Sequence, residues 1–172
     1  QKPQHEAYRA DIDGLRAIAV CLVVGFHALP THLPGGFVGV DVFFVVSGFL
    51  ITRLIRDQIA GGEFSFSRFY LRRARRLFAA LFFTLLASFG AAGMLFSPEH
   101  LAQFGGSLLH VILSVSNFYF WGESGYFDTA AQFKPLLHTW SLSVEEQFYL
   151  VWPLTLFLLL KKTPRWLPPV FI

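Results

Sequence analysis

Residues 77–96 read LFAALFFTLLASFGAAGMLF. This run of about 20 uncharged residues has the length that a helix needs to cross the hydrocarbon core of a bilayer. The composition points the same way. Of the 172 residues, 54% are hydrophobic and 15% are charged, against roughly 45–50% and about 25% in a soluble domain. Phe alone accounts for 21 residues, which suits lipid-facing helices better than a small water-soluble core.

Working outward from 77–96, further apolar spans are read near 13–30, 37–55, 101–121 and 143–160. The first stops at the Pro30–Pro34–Gly35–Gly36 turn. The fifth starts near Ser143, with Pro153 as an expected kink. Between the second and third lies RDQIAGGEFSFSRFYLRRARR, a hydrophilic stretch with a glycine break. The predicted fold is therefore all-α, a polytopic transmembrane bundle with four to five spans in residues 1–172.

Charge sets the orientation. Arg53, at the end of span two, and Arg56, Arg68, Arg72, Arg73, Arg75 and Arg76, between spans two and three, cluster on one side, and the positive-inside rule places that connection in the cytoplasm. The N-terminus is then cytoplasmic too. Lys161, Lys162 and Arg165 do not fit: five spans would put them outside, unless one segment is re-entrant. The clustering of positive charge marks membrane orientation rather than nucleic-acid binding. The start, QKPQHEAYRADIDG, lacks signal-peptide shape, so the first run reads as a retained span. A single cysteine, Cys21, rules out a disulfide framework and a cysteine metal site.

Several polar residues stand where an apolar span would not need them. Arg16 and His27 are eleven apart, about 1100° of helix or roughly 20° past three turns, so they share one face about 16 Å apart. An ionisable group in a span is a functional candidate by default. Arg16 also reads as a snorkelling anchor, and His27 as a polar group satisfied by a neighbouring helix. Asp41 enters span two at the depth where His27 leaves span one, so its carboxylate can orient a histidine base or form a structural pair with it. Glycines at 35, 36, 39 and 48 allow close backbone approach. Arg73 and Arg76, three apart on one face, offer guanidinium forks suited to phosphate; the same cluster also serves as a topology signal. In HTWSLSVEEQFYLVWPL, Ser143 and Glu146 have capping-box spacing. Glu145 lacks that explanation and stands as a site candidate.

The ordered motifs DGLRAIAV with His27, GFVGVDVFFVVSGFLIT, FYLRRARR, SNFYFW and HTWSLSVEEQFYLVWP resemble those of the acyltransferase-3 family of integral membrane acyltransferases, which O-acetylate lipopolysaccharide, peptidoglycan and other glycans. The resemblance implies that His27 is the catalytic base and Arg16 a contact for the acyl donor. It implies that Arg73 and Arg76 engage the phosphates of acetyl-CoA, a donor substrate rather than a bound cofactor. The acceptor would be a glycan outside the bacterial inner membrane. Two departures stand out. Ala79 occupies a place where a proline often follows the arginine cluster. The family domain has about ten spans, so this chain looks like its N-terminal half. A rival reading is a fragment of a proton-coupled transporter, because intramembrane His, Asp and Glu also build proton relays; the Arg-x-x-Arg spacing favours the enzyme. A third is an inactive membrane scaffold.

Overall fold

The computed structural model describes residues 9–123 and 133–162. Its regular elements are α1 (Ala10–Ala28), α2 (Val38–Ala60), α3 (Phe66–Leu95), α4 (Pro98–Ile112), α5 (Ser116–Glu123) and α6 (Thr139–Lys162). The all-α expectation holds among the described residues. Arg165, from the basic end of the chain, lies outside them. The chain forms two compact units, Gln1–Asp57 and Gln58–Ile172.

In the first unit, Asp11 and Asp13 occupy the first turn of α1, where negative charge meets the positive end of the helix dipole. The Arg9 fork donates to both oxygens of Asp11 at 2.6–3.2 Å and holds that carboxyl down at about 2. Residues 29–37 then turn the chain back as α2. Two of the expected glycines make this turn possible. A Cβ on Gly36 would stand 2.4 Å from the Leu22 carbonyl, and one on Gly39 would stand 2.4 Å from the Ala19 carbonyl. Gly35 has open space around it, so it is free of that constraint. Because the obstacle is backbone, it cannot swing aside. Gly39→Ala is expected to destabilise the protein by about 1–3 kcal/mol through overpacking, whereas Gly35→Ala should be nearly silent; thermal unfolding in detergent distinguishes the two.

In the second unit the Ser65 hydroxyl caps α3 by accepting from the Arg68 amide. The arginine cluster and the apolar run 77–96 belong to one continuous helix of 30 residues, about 45 Å long. Ser97 caps α4, with Pro98 in its first turn. The continuous helix expected over 101–121 is two: α4 ends at Ile112 and α5 starts at Ser116. Ser114 between them takes a positive φ of 55°, uncommon for a non-glycine residue. Leu85, Ala92, Phe104, Val111, Phe120 and Leu136 form the core of this unit. α6 begins at Thr139, four residues before the expected start, and runs through Pro153.

Two helices, α2 and α3, are long and apolar enough to cross a membrane. The core helix of a soluble protein passes the same test, but it is mostly buried. Here only 22% and 11% of the two apolar windows are buried, and Phe78, Phe82, Phe83, Leu86 and Phe89 are exposed along α3. Such a surface is stable against lipid rather than water. Among the described residues the other helices fall short for physical reasons. α1 carries Asp11, Asp13 and Arg16. α4, with 15 residues, reaches only about 22 Å, and α6 carries Glu145 and Glu146.

Candidate functional site

His27 lies in the last turn of α1 and is exposed. Its Nδ1 is 2.8 Å from the Val23 carbonyl one turn back. A carbonyl can only accept, so Nδ1 carries the proton, and in the neutral ring Nε2 is left with the lone pair. The ring edge also packs against Phe26 at 5.3 Å. The Val23 carbonyl fixes this tautomer, and Phe26 restricts the ring orientation. His110 makes the same bond to the Gly106 carbonyl, at 2.7 Å, but its ring is half-buried and stacked on Tyr119 at 4.3 Å.

Asp41 lies in the first turn of α2 and is exposed. Among the described residues it forms neither a hydrogen bond nor an ion pair with His27. The Val23 carbonyl occupies the Nδ1 position that the sequence reading offers to the Asp41 carboxylate. The position of Asp41 suits the α2 dipole. Arg16 lies over the Phe43 ring at 5.6 Å and 3.6 Å from Asp13, one turn earlier. Both contacts are weak enough to exchange for a stronger anion.

In the second unit, α3 and α6 run antiparallel along one seam. Phe66 meets Phe157 at 5.4 Å, and the Tyr70 hydroxyl donates to the Leu150 carbonyl at 2.9 Å. Arg73 sits over the Tyr149 ring at 4.6 Å and near Phe69 at 5.9 Å. The Tyr149 hydroxyl donates to Glu145 Oε1. Glu145 and Glu146 both act on the Arg73 guanidinium through space, and so does Arg76 as a like charge. Thus Arg73 and Glu145, picked out separately in the sequence, belong to one cluster on the α3–α6 seam. Arg76 is exposed beside it, as are Arg72 and Arg75. Arg73 itself is half-buried, and among the described residues it forms no ion pair within 4 Å.

The capping box is absent. Ser143 lies one full turn inside α6, buried, with its hydroxyl 2.8 Å from that of Ser116 and 3.2 Å from the Ser116 amide. The Thr139 hydroxyl, which donates to the Leu136 carbonyl at 2.7 Å, lies 3.1 Å from the Ser116 hydroxyl. Glu146 therefore loses the structural role that the spacing suggested. Close by, the side-chain amides of Asn117 and Gln147 pair at 2.9 and 3.3 Å, and Gln147 also donates to the Ser114 carbonyl at 2.8 Å. SNFYFW and WSLSVEEQFY are thus two halves of one polar interlock. The sequence reading assigns no role to Asn117 and Gln147, and gives Tyr149 only a place in an interfacial aromatic belt. For Tyr149 a signal existed, since it stands one turn after Glu145.

The described site residues include no group of three or more His, Cys, Asp or Glu able to hold a metal. Comparison with known proteins adds the following. Residues 9–171 match the acyltransferase domain of the acyltransferase-3 family. The chain is 38% identical over 169 residues to "Peptidoglycan O-acetyltransferase OatA" of Listeria monocytogenes, covering 96% of this chain and 27% of that protein. It is also 38% identical over 157 residues to "Putative peptidoglycan O-acetyltransferase YrhL" of Bacillus subtilis, covering 90% and 25%. The chain thus spans about a quarter of the length of these curated relatives. No solved structure matches. With every described residue inside the matched region, the chain belongs to the acyltransferase-3 family.

Proposed function

We propose that this chain carries part of a membrane-embedded O-acyltransferase. The enzyme moves an acetyl group from cytoplasmic acetyl-CoA to a hydroxyl of an extracytoplasmic glycan. The observation that carries the reading is the His27 ring: Nδ1–H is tied to Val23, and Nε2 is left basic and exposed. In the transfer, the thioester C–S bond breaks and an ester C–O bond forms. Nε2 accepts the proton of the attacking hydroxyl, and that proton ends on the CoA sulfur. The relatives' names support a peptidoglycan acceptor. Family membership weighs against the transporter reading.

In this reading the protein is multi-pass in the bacterial inner membrane, with four to five spans in this chain and a cytoplasmic N-terminus. The arginines of α3 face the cytoplasm by the positive-inside rule. Arg73 and Arg76 hold the donor phosphates; guanidinium forks fit such oxygens in pairs, while the donor contact of Arg16 rests on the family resemblance alone. Glu145 stands on the same seam as Arg73 and is held by the Tyr149 hydroxyl.

The test is acetyl-CoA binding and glycan O-acetylation by the full-length protein in membranes. Arg73→Ala combined with Arg76→Ala is expected to weaken acetyl-CoA binding by about tenfold or more, since each charge-assisted contact contributes roughly 1.5–3 kcal/mol, at unchanged membrane levels. Unaltered affinity would reduce the cluster to a topology signal.

A further inference from the structure

The Arg73 guanidinium is held without being neutralised by contact. One face rests on the Tyr149 ring at 4.6 Å, and Phe69 lies at 5.9 Å. No ion pair within 4 Å reaches it among the described residues. The nearby carboxylate, Glu145, is engaged by the Tyr149 hydroxyl. Tyr149 is buried, with 5% of its surface exposed, so its position is fixed by packing. A guanidinium stacked on an aromatic face keeps its in-plane N–H donors available. A guanidinium in a bidentate salt bridge does not.

We propose that Tyr149 is a positioning residue for donor binding. Its ring presents the Arg73 fork to a phosphate-bearing ligand, while its hydroxyl restrains Glu145 from collapsing onto that fork. Both contacts come from one side chain on α6, so the arginine of α3 is set by the other helix of the seam. This inference rests on the acyl-CoA reading of the arginine cluster and adds a residue to it.

The two halves of the role separate by substitution. Tyr149→Phe keeps the π face and loses the hydroxyl. Tyr149→Leu loses both. The measurements on the full-length protein in detergent are coenzyme A affinity, acetyl-transfer kinetics and melting temperature. With Tyr149→Leu, coenzyme A affinity should fall about tenfold, the scale of a desolvated cation–π contact. With Tyr149→Phe, the ring should rescue most of that affinity at 0.15 M salt. A freed Glu145 would then compete with the ligand, so the residual loss should grow as salt is lowered, because screening weakens at low ionic strength. A purely structural tyrosine would show a different pattern, with affinity falling in step with melting temperature and no dependence on salt. Should Tyr149→Leu fail to accumulate, Tyr149→Met, which keeps bulk without a π face, takes its place. Parental affinity in the Leu or Met variant overturns the proposal, as does an equal loss in Tyr149→Phe. If the parent protein binds no coenzyme A, the donor reading itself falls and this inference with it; if the parent binds and Tyr149→Leu binds equally well, only the positioning role falls.

Discussion

His27→Gln is expected to lower acetyl transfer by about 10²–10⁴-fold, the usual contribution of a general base, while acetyl-CoA binding stays within about twofold of the parent, inside the scatter of weak surface contacts. Glutamine keeps a side-chain donor for the Val23 carbonyl, which His27 now reaches at 2.8 Å, so the end of α1 retains its hydrogen bond. What disappears is a nitrogen lone pair that can take a proton. The test is glycan O-acetylation beside acetyl-CoA binding, at matched protein levels. Full activity would sink the base assignment; loss of binding as well would mean that His27 holds the fold. Asp41→Asn supplies the contrast. From the sequence, Asp41 looked like the group that orients the ring, and its removal would then be nearly as damaging as His27→Gln. With the tautomer set by Val23, Asp41→Asn should cost far less than His27→Gln, and equal losses would restore the carboxylate to the mechanism.

The legible parts of the molecule were those encoded locally. Residues 77–95 are helical because every residue in that run is apolar or small, and α3 is one of the two membrane-capable helices. The facing of Arg16 and His27 followed from helical period alone, and both lie on α1. The illegible parts depend on partners far along the chain. Ser143 and Glu146 have the spacing of a capping box, but spacing does not reveal that the Ser143 hydroxyl already serves Ser116, 27 residues away. The break between α4 and α5 carries neither glycine nor proline. Ser114 takes its positive φ with its carbonyl bonded to Gln147, 33 residues later. The Arg73–Tyr149 contact likewise joins two helices whose registers only packing decides.

The Ser116–Ser143 contact should be among the most sensitive points of the second unit. Ser116, Thr139 and Ser143 are all buried, at 0%, 3% and 2% exposure. They are not equivalent. Ser143 accepts from the Ser116 amide at 3.2 Å, so its hydroxyl serves a backbone donor at the first residue of α5 that the helix itself cannot satisfy. Removing it orphans a buried N–H, a loss of about 1–3 kcal/mol. Ser143→Val adds crowding in the same space, and the sum should reach about 3 kcal/mol or more. Ser116→Ala removes only a hydroxyl. Its amide keeps Ser143, and Thr139 keeps the Leu136 carbonyl at 2.7 Å, so about 1 kcal/mol or less is expected. The expected order of melting temperatures in detergent is therefore parent, Ser116→Ala, Ser143→Ala, Ser143→Val, from highest to lowest. Equal melting of Ser116→Ala and Ser143→Ala would show that the amide contact contributes nothing. Because Asn117 and Gln147 flank the same joint, Ser143→Val should also loosen α5 against α6, read as faster amide exchange over residues 114–123; parental exchange there would place the damage within α6 alone.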